Sequence, residues 1–227
     1  VLNPADAARV VTPTVVSMPR TLDDRIAFRA DHLVAYQGKR LAKRYTRLVD
    51  RFEDTELKEA VAMGYHKLLT CKDEYEVARL LQDTRAKAEA AFEGDLKITH
   101  HLAPPMTSKT GADGRPVKKE YGARMAAMFP WLARMKRLRG TPLDPFGRTA
   151  ERRMERALIR EYEGDMIEVL RILRPETRDA AIALAALPRE IRGFGPVKLA
   201  NAANAAKRRE ELLAVLRAPA GAARAAE

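Results

Sequence analysis

From Thr21 onward apolar side chains return at three- and four-residue steps through most of the chain, the period of helices that bury one face. Thr21 followed by Leu22-Asp23-Asp24 has the form of an N-cap with acidic residues in a first helical turn, where they oppose the positive end of the helix dipole. Along this first helix Leu41, Tyr45, Leu48 and Phe52 form one apolar stripe, and Arg40, Arg44, Arg47 and Arg51 keep the same spacing one residue earlier. The arginine row reads as a solvated flank whose stems cover the edge of the core, with an anion-binding stripe as the alternative. Helical periodicity resumes from Glu56 to Cys71 and from about Asp73 to Phe92, where Gly94 offers a stop.

The period then changes. Leu96, Ile98, His100 and Leu102 alternate with Lys97, Thr99 and His101, as in a strand, and Pro104-Pro105 ends the run. Thr110 to Gly114 reads as a turn and Val117, Lys119 and Tyr121 as a return strand, which places a small hairpin among helices. A helix expected from about Arg124 to Leu138 is interrupted near Pro130, since proline removes a backbone donor. Gly140-Thr141-Pro142 and Asp144-Pro145-Phe146-Gly147 make a rigid connector. In the next helix Met154, Leu158, Tyr162, Met166, Val169 and Leu173 share one side, while Arg152, Arg156 and Arg160 mix with Glu151, Glu155 and Glu161 on the other in a pattern of local ion pairs. Pro175 opens a helix that runs to Leu187, Gly193-Phe194-Gly195-Pro196 turns the chain, and a last helix spans about Val197 to Leu216, with Ala200, Ala203 and Asn204 small enough for close packing.

These elements predict a mainly α fold: a multi-helix domain over 21–217 with a small β-hairpin insertion near 95–121. Residues 1–20, with Pro4, Pro13 and Pro19 around Val10-Val11-Thr12, read as an extended linker or the tail of a preceding domain; 218–227 read as a flexible tail. No apolar run approaches the ~20 residues of a membrane-spanning helix, and the amino terminus lacks a basic-then-apolar signal pattern. The expectation is a chain without a membrane partner.

Charge narrows the partners without choosing one. Lys plus Arg (42) exceed Asp plus Glu (31) by 11, and the pI is near 9.9. That balance attracts acidic proteins, nucleic acid and anionic surfaces alike. Aromatics are 6% of the chain and mostly fall on core stripes, and no zinc-finger, RNP or basic-zipper pattern occurs, so nucleic-acid recognition is disfavoured.

Candidate chemistry is sparse. The single cysteine, Cys71, excludes an internal disulfide, a four-cysteine zinc site and any cluster ligated by this chain alone, and fits a reducing, cytoplasmic compartment. Adjacent His100 and His101 point to opposite faces of a strand, and His66 and Cys71 lie about 140° apart on a helix, so neither pair has metal-ligand spacing. Asp73, Glu74 and Glu76 read as a helix-start charge cluster, and no phosphate-cradling GxxxxGK[ST] or GxGxxG loop occurs. No catalytic, cofactor-binding or metal-binding residue is assigned.

Several segments, in order, resemble the last domain of the fused indolepyruvate:ferredoxin oxidoreductases, within the 2-oxoacid:ferredoxin oxidoreductase superfamily. They are Tyr36-Gln37 with Tyr45; Lys72-Asp73-Glu74-Tyr75-Glu76-Val77-Ala78-Arg79-Leu80; Phe92-Glu93-Gly94-Asp95; His101-Leu102-Ala103-Pro104-Pro105; Leu138-Arg139-Gly140-Thr141-Pro142-Leu143-Asp144-Pro145-Phe146-Gly147; Thr149-Ala150-Glu151-Arg152-Arg153; and Pro188-Arg189-Glu190-Ile191-Arg192-Gly193-Phe194-Gly195. The resemblance spans about residues 22 to 217. It implies a parent enzyme that oxidatively decarboxylates arylpyruvates with thiamine diphosphate, Mg, iron-sulfur clusters and coenzyme A, passing electrons to ferredoxin. The thiamine entry motif is not met here, because Gly94-Asp95 is followed by Leu96. The resemblance therefore implies a non-catalytic scaffold or interface domain that packs on the catalytic domains and meets ferredoxin through its basic surface. The alternative is a stand-alone basic helical module for nucleic acid or an acidic protein. Arg139, Asp144, Arg148, Glu151, Arg152, Arg153, Arg192 and Phe194 are the candidate interface or structural residues, drawn from the Gly-, Pro- and charge-rich segments.

Overall fold

Ten helices and one two-stranded sheet make up the described residues of the computed structural model, which are 21–92, 97–103, 111, 117–193 and 195–219. The extended arm over 1–20, the Gly94 stop, Pro104-Pro105, most of the hairpin turn, Phe194 and the tail from 220 lie outside them. The mainly α expectation holds. None of the described helices is long and apolar enough to cross a membrane.

Thr21 caps α1 (Leu22–Tyr36) in a reciprocal box with Asp24, each side chain bonding the other's backbone N–H at 3.1 Å. The single first helix expected from the pattern is in fact two, because Gly38 at φ +138° turns the chain into α2 (Lys39–Val49). The predicted stripe is nonetheless buried on α2, with Tyr45 and Leu48 inside and Phe52 just beyond it. Asp54 caps α3 (Thr55–Leu69) through the Leu57 N–H at 2.8 Å. Cys71 lies past the end of this helix rather than on it. The stretch from Asp73 also divides, into α4 (Glu74–Leu81) and α5 (Thr84–Ala91).

The hairpin is shorter than predicted, with β1 (His100–Leu102) antiparallel to β2 (Lys119–Tyr121) and His100 opposite Tyr121. His100 is buried with its ring edge-on to Phe129, while His101 is exposed, as alternation requires. Instead of one kinked helix, α6 (Ala123–Ala126) and α7 (Phe129–Arg134) follow, then a 3-10 turn over 135–138. The break precedes Pro130, which sits in the first turn of α7, where its missing N–H costs nothing.

Thr149 caps α8 (Ala150–Ile172). Tyr162, Met166 and Val169 are buried as predicted, but Leu173 ends the helix 38% exposed. A 3-10 turn at 175–177 enters α9 (Arg178–Ala186), and Gly193 and Gly195, both at positive φ, lead into α10 (Pro196–Arg217). Ala200, Ala203 and Asn204 face outward on α10; Ala202 and Ala205 are its close-packing positions, one register step away.

Three clusters fill the interior. The largest joins α1, α2, α3, α8, α9 and the C-terminal half of α10. Inside it the rings of Tyr45, Tyr65 and Tyr162 stack in series, with centroids 6.0 and 5.8 Å apart. A second, smaller cluster packs Ala78 of α4 against Phe129 and Ala133 of α7, with Leu102 of β1 at its edge. A third joins Ile191 to Ala202 and Ala205 of α10.

In the main core α3 comes into backbone contact with α9 at Gly64. A Cβ on Gly64 would lie 2.2 Å from the Ala185 carbonyl oxygen and 2.9 Å from the Tyr162 hydroxyl, which itself donates to Ala185 at 3.0 Å. Alanine would gain about 1 kcal/mol of helix propensity at this position. The clash is with backbone that cannot turn away, and overpacking costs more than that. Gly64→Ala is expected to lower unfolding free energy by about 2–3 kcal/mol in urea titrations; an unchanged midpoint would show that the two helices separate freely.

Candidate functional site

The small cluster and the main one meet at Arg139, the residue that ends the 3-10 turn after α7. Its guanidinium bonds both oxygens of Asp73, Nε to Oδ2 at 2.5 Å and Nη2 to Oδ1 at 2.8 Å, and its Nη1 donates to the Tyr36 carbonyl at 2.8 Å. The same plane lies 3.7 Å over the centre of the Tyr36 ring. The arginine and aspartate side chains are 12% and 4% exposed, so the pair is largely withdrawn from water. Asp73 has a second task, accepting the Glu76 N–H at 2.9 Å as N-cap of α4. One carboxylate thus starts a helix of the small cluster and neutralises the cation that holds the end of α1.

Neighbouring contacts follow the same design. Lys136 donates to the Ala35 carbonyl at 2.5 Å, Gln37 donates to the Arg139 carbonyl, and the Tyr36 hydroxyl donates to the Cys71 carbonyl at 3.0 Å while accepting the Cys71 N–H. Asp144, 4% exposed, accepts from the Tyr75 hydroxyl at 2.9 Å and from the Gly140 and Phe146 N–H groups. It thereby closes the 140–147 turn on α4. Gly147 packs so tightly on this carboxylate that a Cβ there would come within 2.6 Å of it. From α8, Arg152 pairs with Glu155 at 2.6 Å and reaches the Lys72 carbonyl at 3.2 Å. Lys198 of α10 bridges Glu155 and Glu151. Burial alone would raise the Glu155 carboxyl, but Lys198 and Arg152 outweigh it and hold the group below its ordinary value.

Of the residues selected from sequence, Arg139, Asp144 and Arg152 meet at this junction, and Glu151 joins through Lys198. Arg148 and Arg153 are exposed, Arg148 bonding the Pro142 carbonyl. Arg192 is exposed in the turn before α10, bonded to the Arg189 carbonyl and apart from this junction, and Phe194 is outside the described residues. Sequence reasoning passed over Asp73 and Tyr36 as site residues, although both stand in the segments that carry the resemblance. It also missed the pairing of His32 with His66, having weighed His66 only against Cys71. Their rings meet at 3.0 Å, Nδ1 to Nε2, and Glu76 lies 3.9 Å from the far side of His32. A separation of 34 residues leaves no local signal for that pair.

Between the junction and α8 lies a cleft of about 260 Å³. Its walls combine Leu41, Leu68, Phe146 and Ile159 with Arg44, Arg139, Arg152 and Arg156. Cys71 also faces it, with burial pushing its thiol up, so the sulfur stays protonated and is a poor nucleophile. Among the described residues no group of three or more His, Cys, Asp or Glu could hold a metal ion.

A family model described as a family of unknown function (DUF6537) matches residues 22–211. No curated protein and no solved structure matches the chain.

Two outcomes follow from this geometry. Arg139→Ala leaves Asp73 buried without its counter-charge and is expected to cost about 3–5 kcal/mol of stability, with Arg139→Lys recovering little because an ammonium cannot span two carboxylate oxygens and a carbonyl. Chemical denaturation checks this, and a loss under 1 kcal/mol would refute the clamp. The second concerns acid. Burial, and then His32 and Arg29, hold the His66 imidazole down to about 4, against about 6.5 when unfolded. Protons therefore bind the unfolded chain first, and the His66 contribution, complete above pH 6.5, is lost as pH falls toward 4. Urea midpoints across that range should show His66→Gln removing about 1–3 kcal/mol of the acid sensitivity; an identical pH profile would count against it.

Proposed function

Because the chain belongs to the DUF6537 family, whose function is unknown, we propose from its own geometry that it is a non-catalytic scaffold. In this reading it is the interface domain of a cytoplasmic indolepyruvate:ferredoxin oxidoreductase, whose thiamine diphosphate, Mg, iron-sulfur clusters and coenzyme A are handled by other domains. The observation that carries the reading is convergence. Four of the segments that resemble that family, scattered from Tyr36 to Arg153, supply Tyr36 and Gln37, Asp73 and Tyr75, Arg139 and Asp144, and Arg152 to one junction. Their polar groups are spent on one another, which is what a rigid corner requires. Beside that junction Leu143 and, on α7, Trp131 stand 75% and 61% exposed, apolar anchors of the kind that interfaces use.

A second reading is favoured by α2, whose outward face carries Lys39, Arg40, Lys43 and Arg47, all exposed, with no acidic residue in the helix. It is recruitment of an acidic protein such as ferredoxin, or of nucleic acid. The two readings are compatible in one assembly.

Deleting residues 22–217 from the parent oxidoreductase should abolish its assembly and its arylpyruvate-dependent dye reduction, and the chain added back should restore both while reducing nothing alone. Turnover by the isolated chain, or an indifferent deletion, would overturn the scaffold. In the same preparation, salt-sensitive retention of ferredoxin but not DNA or RNA would support the second reading in its protein form.

A further inference from the structure

We propose that the cleft between α2, α8 and the 139–147 turn binds a small organic monoanion, an oxyanion head on an apolar body, with Arg156 as its anchor. Four guanidiniums line the cleft. Three already stand against carboxylates: Arg139 on Asp73, Arg152 on Glu155, and Arg44 on Glu163 at 2.6 Å. Arg156, half-buried one helical turn beyond Arg152, has no ion-pair or hydrogen-bond partner among the described residues. A guanidinium does not lose its proton, and a partly desolvated cation without a counter-charge is costly. An incoming carboxylate or phosphate relieves that cost and takes up two parallel N–H donors.

The rest of the cleft decides what such an anion carries. Leu41, Leu68, Phe146 and Ile159 offer an apolar wall beside the charge. The volume, about 260 Å³, lies below the ~300–1,000 Å³ usual for drug-sized ligands. A small aromatic or branched aliphatic acid fits that description; a bare inorganic ion leaves the apolar wall wet, and a nucleotide is too large. The charge of Asp144, also on the lining, is offset by three donors, the Tyr75 hydroxyl and the Gly140 and Phe146 N–H groups. A second negative charge on the ligand would find only arginines that are already neutralised. The ligand would touch both α8 and the clamp turn, so occupancy stiffens the junction. This inference stands apart from the scaffold assignment and survives its failure.

The probes are benzoate, inorganic phosphate and benzyl alcohol, titrated into the full chain with amide NMR shifts and melting temperature as readouts. Benzoate is expected to bind, to shift the amides around Leu41, Phe146 and Ile159, and to raise the melting temperature. Phosphate and benzyl alcohol, each with half the chemistry, should bind at least about tenfold more weakly. Arg156→Gln should weaken benzoate about tenfold without lowering the ligand-free melting temperature, since no internal partner is lost. Arg160→Gln, an exposed arginine on the same helix, should leave affinity unchanged. No benzoate binding at millimolar concentration, equal binding of phosphate, shifts confined to other surfaces, or full affinity in Arg156→Gln would each overturn the proposal. Should Arg156→Gln fail to fold, the claim that Arg156 lacks an internal partner is itself refuted.

Discussion

A buried guanidinium must keep its counter-charge, and in this protein that requirement ties two hydrophobic clusters into one body. Arg139 can leave water only because Asp73 meets it with both oxygens, Tyr36 supplies a carbonyl and a ring face, and each nitrogen of its planar fork has an acceptor. Each partner has a further commitment. Asp73 starts α4, Tyr36 ends α1 and grips Cys71, and the turn that follows Arg139 closes on Asp144. The small cluster around Phe129 has few apolar side chains. Its position against the main core depends on this polar set more than on buried area.

The main core is organised differently. There the α3–α9 approach is set by the absence of a side chain at Gly64, and the Tyr162 hydroxyl bridges α3 and α9 through two carbonyls. Around its rim carboxylates meet arginines from distant helices, Asp165 with Arg209 and Asp54 with Arg178. The first pair has its aspartate 6% exposed and specifies how α10 lies on α8; the second is more open to solvent and contributes less. Shape sets one contact and charge specifies another, so a change at either kind of position has a different signature in denaturation.

The positive surplus of the chain is not spread evenly in consequence. Arginines with work to do inside the fold are neutralised there, while Arg40 and Arg47 of α2 remain outside and Arg156, in a cleft, stays unpaired among the described residues. A net charge read from composition could not distinguish these three populations.

Local periodicity and local chemistry were enough to read the mainly α class, the hairpin, the cap at Thr21 and the buried stripe of α2, because each depends on residues within a turn or two of one another. Arg139, Asp144 and Arg152 were legible as a group, though only through the motif segments that contain them. Periodicity could not see that Gly38 breaks the first helix, since the stripe begins only after the break and the backbone changes hand at a single residue. Nor could it choose Ala202 over Ala200 on α10, where an alanine-rich run offers several equivalent faces. Pairings such as His32 with His66 or Arg139 with Asp73 join residues 34 and 66 positions apart. They were decided only by the tertiary structure, because which distant charge a buried cation finds depends on how the helices pack and leaves no trace in the spacing along the chain.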